Sequence, residues 1–349
     1  MIDIFGMELK ELEKVFVELG LKKFRAKQVF QWLYQKSVFD FSSMHNLSKN
    51  DIEVLQANCT ILPHEIVILR EQNSSDGMTS KLLLGMPGGD SVETVLMHHD
   101  YGYSVCVSSQ VGCDMHCAFC ASGLKGAVRN LTKAEIVAQV YLFNERLREA
   151  NAMVSRVVVM GSGEPMLNFE NVIGALDFLH DEAVSHMSYR NMTISTCGII
   201  PGIKRLAEQG KPINLAISLH AVRNELRTSL MPVNKGFNFV DVIAEAEAYS
   251  EAGGRQVTYE YILLKDKNDS VQDAELLANF LRYKHATVNL IPANPVPEQG
   301  FERPSKATIE RFLKALTKQR INATVRKEMG KDIDAACGQL RRKYANSLG

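Results

Sequence analysis

No run of about 18 consecutive apolar residues occurs in the 349-residue chain, so no transmembrane helix is expected. The opening MIDIFGMELKELEKVF alternates acidic and apolar residues and lacks the cationic, apolar and small-residue order of a secretory signal. Without an export signal the cytoplasm is the expected compartment, and thiols stay reduced there. That argues against a disulfide scaffold and points the seven cysteines toward metal binding or catalysis. Net charge is missing too: 40 Lys and Arg stand against 40 Asp and Glu. A polyanionic partner would therefore have to be met by a local patch. No internal repeat or low-complexity tract is visible, which argues against a repeat array.

What is present falls into two textures. Residues 8 to 57 read as short helices, and KKFRAKQVFQWLYQK (Lys22 to Lys36) carries five positive charges and no negative one. Phe24, Gln28 and Gln31 are spaced for one helix face, with Val29, Trp32 and Leu33 on another that looks buried. This is either a small helical domain with a solvated basic face or an RNA-contacting module. From Ser91 onward β-branched runs alternate with amphipathic stretches. SVCVSS precedes a helix opening at LTKAEIVAQV, where Thr132 and Glu135 fit a capping box and Ile136, Val140 and Phe143 form a stripe. RVVVMG, MTISTCG, INLAISLH, QVTYEYILL and ATVNLIP each precede helical text, and NATVRK closes the set. Such alternation predicts an α/β fold with a parallel sheet, an incomplete (β/α)6 barrel of TIM type, preceded by a small N-terminal helical accessory domain. The expected divisions are 1–75 for the helical domain, 76–98 for extension strands, 99–332 for the core and 333–349 for a C-terminal segment. The chemistry of such folds sits at the carboxyl ends of the strands.

Cys113, Cys117 and Cys120 fall in a loop between the first core strand and the first core helix. A structural zinc site wants four ligands, usually as two separated pairs, and C-x₃-C-x₂-C on one loop is not a usual zinc spacing. An iron–sulfur cubane explains it better. Its irons are normally held by four thiolates, so three leave one iron open to an outside ligand. The spacing, with Phe119 before the last cysteine, is the signature of radical S-adenosylmethionine (SAM) enzymes. That resemblance implies a [4Fe-4S] cluster whose open iron takes the amino and carboxylate groups of SAM. One electron from the cluster then cleaves SAM to a 5′-deoxyadenosyl radical.

Other strand ends carry small polar groups. GSGEP at 161–165 places Gly163 and Glu164 where backbone and carboxylate could approach a bound amine. Ser195, then Ser218, Leu219 and His220, then Asn294 recur at later strand ends, and such a rim suits a ribose and a methionine carboxylate. Each could equally be a satisfied polar group of the fold. Two more thiols stand apart. Cys106 lies seven residues before Cys113, and Cys337 lies in GKDIDAACGQL, among Asp, Ala and Gly beyond the last strand. Cys59 and Cys197 read as small buried hydrophobes, with Cys197 able to line the pocket.

SSQVGCDMHCAFCASG, GEPMLN, TISTCGIIPGI, LAISLHA, NLIPANPVP and DIDAACGQL together resemble the RlmN/Cfr family of radical SAM RNA adenine methyltransferases, over about residues 90 to 340. The basic N-terminal region is similar to that family's accessory RNA-binding domain. The resemblance implies two SAM molecules per turnover, because adenine C2 is an electron-poor amidine carbon that cannot attack the methyl of SAM directly. It implies that Cys337 becomes S-methylcysteine, that Glu93 in SVETVLM is the proton acceptor and that Cys106 releases the product through a transient disulfide with Cys337. Taken alone, Glu93 would also pass for a solvent-facing strand carboxylate. The family often shows Gly-Met-Gly-Glu-Pro where this chain has Ser162.

SSQVGC, GEP and LIPANP resemble the C2-methylating group more closely than the Cfr-type C8 group, which confers ribosome-directed antibiotic resistance. The expected substrates are an adenine of 23S rRNA (adenosine-2503) and adenosine-37 of tRNA, with a donor such as flavodoxin supplying electrons to a cytoplasmic, non-membrane monomer. Lys22 to Lys36, together with Arg326, Lys327, Arg341, Arg342 and Lys343, would supply the RNA-binding charge. A radical SAM activase and a non-catalytic iron–sulfur RNA-binding protein are the readings from other classes.

Overall fold

Capping signals and apolar spacing set the N-terminal elements of the computed structural model, which describes residues 1–124, 126–253, 255–294, 300–327, 329–330 and 332–333. They are β1 (Ile2–Asp3), α1 (Leu9–Glu18), α2 (Lys23–Tyr34), α3 (Lys49–Asn58), β2 (Cys59–Thr60) and α4 (Leu62–Glu65). Leu12 and Phe16, one turn apart, form the buried stripe of α1, and Ser48 with Asp51 makes a capping box for α3. β1 and β2 pair in parallel. On α2 the face of Val29 and Leu33 is buried as expected, with Trp32 half-buried beside it. Phe30 and Tyr34, aromatics of the basic segment, also go inside. Their rings meet Phe178, and Tyr141 donates to the Tyr34 carbonyl at 3.3 Å. Phe24 alone of these aromatics is left largely in solvent, 53% exposed.

The remaining strands, except one short hairpin, form a single ten-stranded sheet. Three antiparallel strands lead in: β3 (Val67–Asn73), β4 (Thr79–Gly85) and β5 (Ser91–His99). β6 (Gly102–Val107) pairs antiparallel with β5 and parallel with β9 (Val154–Val159). Between them lie the hairpin β7 (Gln110–Gly112) and β8 (Ala127–Asn130), then α5 (Lys133–Leu147). The chain continues through α6 (Phe169–His180), β10 (Met192–Thr196), α7 (Ile200–Glu208), β11 (Asn214–Ser218), α8 (Asn224–Leu230) and α9 (Phe239–Glu251). β12 (Val257–Leu263), α10 (Val271–Leu281), β13 (Ala286–Pro292), α11 (Lys306–Lys318) and β14 (Ala323–Val325) complete it. The order β14-β13-β12-β11-β10-β9-β6-β5-β4-β3 is parallel from β14 to β6, which gives six β/α units and a closing strand. The expected incomplete barrel is therefore the observed fold. The three lead-in strands are the part that periodicity had only sketched.

Register sorts the side chains. Val105, Val157, Ile194, Leu215, Tyr259 and Val288 point to the helix side and are buried. Tyr261 shows the direction, its ring 5.3 Å from Phe312 of α11. On the opposite, inner face stand Lys81, Glu93, Cys106, Ser195, Ser218, Glu260 and Asn289. The capping box of α5 forms as expected, Thr132 accepting from the Glu135 amide and Glu135 from the Thr132 amide. Its apolar stripe widens to nearly the whole helix, because the N-terminal unit covers the side that would otherwise face water. Among the described residues no helix is long and apolar enough to cross a membrane.

Candidate functional site at the carboxyl ends of the parallel strands

The three-cysteine loop is built on the β7–β8 hairpin. Gly112, immediately before Cys113, has φ +82°, and a Cβ there would lie 2.0 Å from the Gly126 carbonyl oxygen. Only glycine permits that crossing of backbones. The Cys113 amide then donates to Gly126 at 3.2 Å, Ala118 to Leu230 at 2.8 Å and Cys120 to Cys117 at 3.0 Å. Asp114 accepts from the Ala127 amide at 2.6 Å, and the His116 ring meets the Gly123 carbonyl at 3.1 Å. The loop is thus braced at five points before any ligand is considered.

Burial pushes the Cys113 thiol up to about 11, with Cys120, Glu164 and Asp114 adding to it. Cys117 is pushed up further, first by burial and then by Cys120 and Cys113. Two crowded thiols that resist ionisation need added positive charge to become thiolates, and bound iron supplies it. Among the described residues no three His, Cys, Asp or Glu side chains close on one ion-sized point. Three thiols on one loop are the donor set of a multi-iron cluster with one iron left to another ligand. The Ser122 and Ser109 hydroxyls are buried without a protein partner, which is where a bound group would be wanted. The residues present fit a cluster with an attached polar ligand.

Gly161 and Gly163 serve the neighbouring strand end. A Cβ on Gly161 would meet Val107 and Ser108, and one on Gly163, at φ +109°, would meet Ser109 and Gln110, all at 2.8 Å or less. Ser162 ties the same loops together: its hydroxyl donates to Gly112 at 3.1 Å and its carbonyl accepts from Ser109 and Gln110. Ser162 therefore holds the GSGEP loop to the cysteine-bearing hairpin. The Glu164 carboxylate is buried, and burial raises its pKa. It accepts from the Met166 amide at 3.1 Å and the Cys197 amide at 2.8 Å, joining the ends of β9 and β10.

Ser195 and Ser218 stand side by side on the inner face with hydroxyls 3.5 Å apart. Leu219 is fully buried. His220, at φ +59°, accepts the Ile262 amide at Nδ1, and burial takes its pKa down to about 3, so the ring is neutral. Its edge meets the Phe119 ring at 4.7 Å, which brings the β11 end against the cluster loop. Asn294 is exposed just beyond β13. Cys106 is half-buried on β6. Glu93 is buried, and its carbonyl accepts from the Ser108 hydroxyl at 2.7 Å, so it stands at the end of β5 that meets the carboxyl end of β6. Cys337, Arg341, Arg342 and Lys343 lie outside the described residues, while Arg326 and Lys327 are exposed. Cys59 and Cys197 are buried, as read.

Two groups were missed in the sequence. Arg227 is wholly buried and donates to the carbonyls of Cys197 at 2.8 Å and Leu219 at 3.1 Å and to Asn234 at 2.8 Å. Burial lowers its pKa to about 10, against the raising influence of Cys197 and Cys117, so it brings a positive charge behind the cluster loop. Nothing in NELRTSL marks that arginine as internal. Lys81 is the second, wholly buried, with its ammonium 2.8 Å from the Glu93 carboxylate.

Two family models match the chain. The ribosomal RNA large subunit methyltransferase N-terminal domain covers residues 2–61 and the radical SAM superfamily covers residues 107–281. A Spiroplasma citri protein named probable dual-specificity RNA methyltransferase RlmN is 46% identical over 343 residues, 98% of either chain. One of the same name from Symbiobacterium thermophilum is 47% identical over 339 residues, 97% of this chain and 91% of its own. A crystal structure of a radical SAM methyltransferase from Sphaerobacter thermophilus matches with a TM-score of 0.92 at 41% identity, covering 97% of this chain and 99% of that one.

Proposed function

Because the chain belongs to the RlmN family of radical SAM RNA methyltransferases, we propose that it methylates C2 of an adenine in 23S rRNA, adenosine-2503, and adenosine-37 of tRNA. Cys113, Cys117 and Cys120 would hold a [4Fe-4S] cluster, and the rim of Gly163, Glu164, Ser195, Ser218, Leu219, His220 and Asn294 would hold SAM. When bound, these supply a hydrogen-abstracting radical at the carboxyl ends of the strands, and two SAM are used per turnover. Cys337 carries the carbon destined for the ring. Glu93 accepts the proton that C2 gives up, and Cys106 frees the product by forming a disulfide with Cys337. An electron donor of flavodoxin type and a monomeric, cytoplasmic enzyme complete the reading.

One observation carries it: Glu93 and Cys106, on different strands, share the inner face at the carboxyl end of β6. A carboxylate and a thiol have no common structural use there, whereas a proton acceptor and a resolving thiol must both reach the same substrate carbon. The test is anaerobic turnover of cluster-loaded protein with a 23S rRNA fragment and with tRNA, followed by mass spectrometry of the nucleosides. 2-Methyladenosine that disappears in Cys337→Ala is the expected result. 8-Methyladenosine would refute the C2 assignment, and product from an unmethylatable Cys337→Ala protein would refute the cysteine route.

A further inference from the structure

Lys81 and Glu93 form a charged pair inside the fold, 0% and 6% exposed at their side chains and 2.8 Å apart. Lys81 pairs in register with Val95, Val95 pairs with Cys106, and Glu93 lies two residues before Val95. The pair is thus a cross-strand diagonal on the inner face, pointing where Cys106 points. Taking both charges out of water is costly, and two apolar side chains would join β4 to β5 at least as well. The pair needs a use beyond holding the sheet.

We propose that Lys81 is a positioning residue for proton transfer, holding the Glu93 carboxylate aimed along the inner face until it takes the proton from the substrate carbon. This rests on the reading of Glu93 as the proton acceptor. In the step, the ring C–H bond breaks heterolytically, its electron pair stays in the ring, and an O–H bond forms on Glu93. The ion pair becomes a cation beside a neutral acid. Release of that proton to solvent resets the base.

The other charged and titratable groups around β5, among the described residues, are few. Cys106 faces it from β6, and at its far end stand His98 and His99, with His99 bonded to Ser104 and near Lys327, Arg156 and Asp100. Asp90 precedes it in an ion-pair group with Arg129 and Glu135. From β7 comes only the neutral Gln110. Lys81 is the cation placed against the carboxylate itself.

The test uses the cluster-loaded full chain with RNA, in single turnover across pH, for K81M, K81Q and E93Q. Two quantities are read: 2-methyladenosine formed per methylated Cys337, and the covalent protein–RNA adduct. In K81M the first falls by at least about tenfold and the adduct accumulates. The acidic limb of the rate profile moves to higher pH, because a carboxylate without its cation holds a proton more tightly. K81Q keeps a hydrogen-bond donor at the carboxylate and removes only the charge. Its limb decides the matter if K81M does not fold: moved upward supports the proposal, unmoved overturns it. A purely structural lysine would lower every step together and leave the limb in place, which also overturns it. Wild-type behaviour in E93Q removes the base itself. An inactive E93Q beside an unaltered K81M and K81Q removes only the role given to Lys81.

Discussion

Replacing Gly112 with alanine probes the hairpin that presents the cluster cysteines. The added Cβ would sit 2.0 Å from the Gly126 carbonyl oxygen, where real Cβ atoms keep at least 3.0 Å. The obstacle is backbone and cannot rotate away. Alanine at φ +82° costs about 1–2 kcal/mol. Moving Gly126 by about 1 Å to relieve the overlap adds about 1–3 kcal/mol of packing strain. It also breaks the bond from the Cys113 amide, worth about 1 kcal/mol. The whole comes to about 3–6 kcal/mol, a large part of a domain's stability. Urea unfolding of the cluster-free protein measures it, and iron content after reconstitution measures the consequence for Cys113. Gly77→Ala is the control, since Gly77 has φ +68° but nothing within 4 Å, so it should lose only the backbone cost of about 1 kcal/mol. A Gly112→Ala protein as stable as Gly77→Ala and fully loaded with iron would refute the crossing as the reason for the glycine.

His220 is neutral in the fold with its pKa near 3, while the unfolded chain takes up a proton below 6.5. Its stability contribution is present at pH 7 and drains as pH falls from 6.5 toward 3, by roughly 2 kcal/mol at pH 5. His220→Asn, which tolerates φ +59° and keeps an acceptor for Ile262, should shrink the difference in urea midpoint between pH 7 and pH 5, and an unchanged difference refutes the assignment. Gln139→Leu should cost about 2–4 kcal/mol in urea unfolding, because buried Gln139 satisfies both the amide and the carbonyl of Ser108, and a loss under 1 kcal/mol would contradict this. In the N-terminal unit, Phe30→Ala should cost about 3–5 kcal/mol, whereas exposed Phe24→Ala should stay within about 0.5 kcal/mol and weaken RNA binding in a gel-shift titration. Unchanged RNA affinity in Phe24→Ala would leave the basic helix face as solvated surface.

What could be read from the sequence was whatever is written locally. The helix of LTKAEIVAQV announces itself through Thr132 and Glu135, three residues apart, and the strand runs through their β-branched residues. The cysteine spacing is local too. The lead-in strands β3 to β5 were harder, because VILREQN and TSKLLLG carry no clean alternation. Burial on both faces of β4 explains the second: Leu82, Leu83 and Leu84 are all fully buried, so the period-2 signal vanishes.

The glycines of GSGEP have neighbours that a local pattern does not reveal. Two glycines flanking a serine and followed by a carboxylate look like a cradle for a ligand. The space their missing side chains leave is taken by residues 107–110, more than 50 positions earlier in the chain. Long-range contacts of this kind leave no trace in spacing, and the same holds for the bond from Arg227 to the Cys197 carbonyl, 30 residues away. The Lys81–Glu93 pair is the sharpest instance. Each residue reads alone as an ordinary charge on a strand, and the zero net charge of the chain hides both. Only the register of β4 on β5 puts them together, and only the register of β5 on β6 adds Cys106 to the same face. The scaffold was therefore legible wherever a motif is continuous in sequence. The Lys81–Glu93 pair, to which the proposal gives the proton, is a product of strand pairing and had to be read from it.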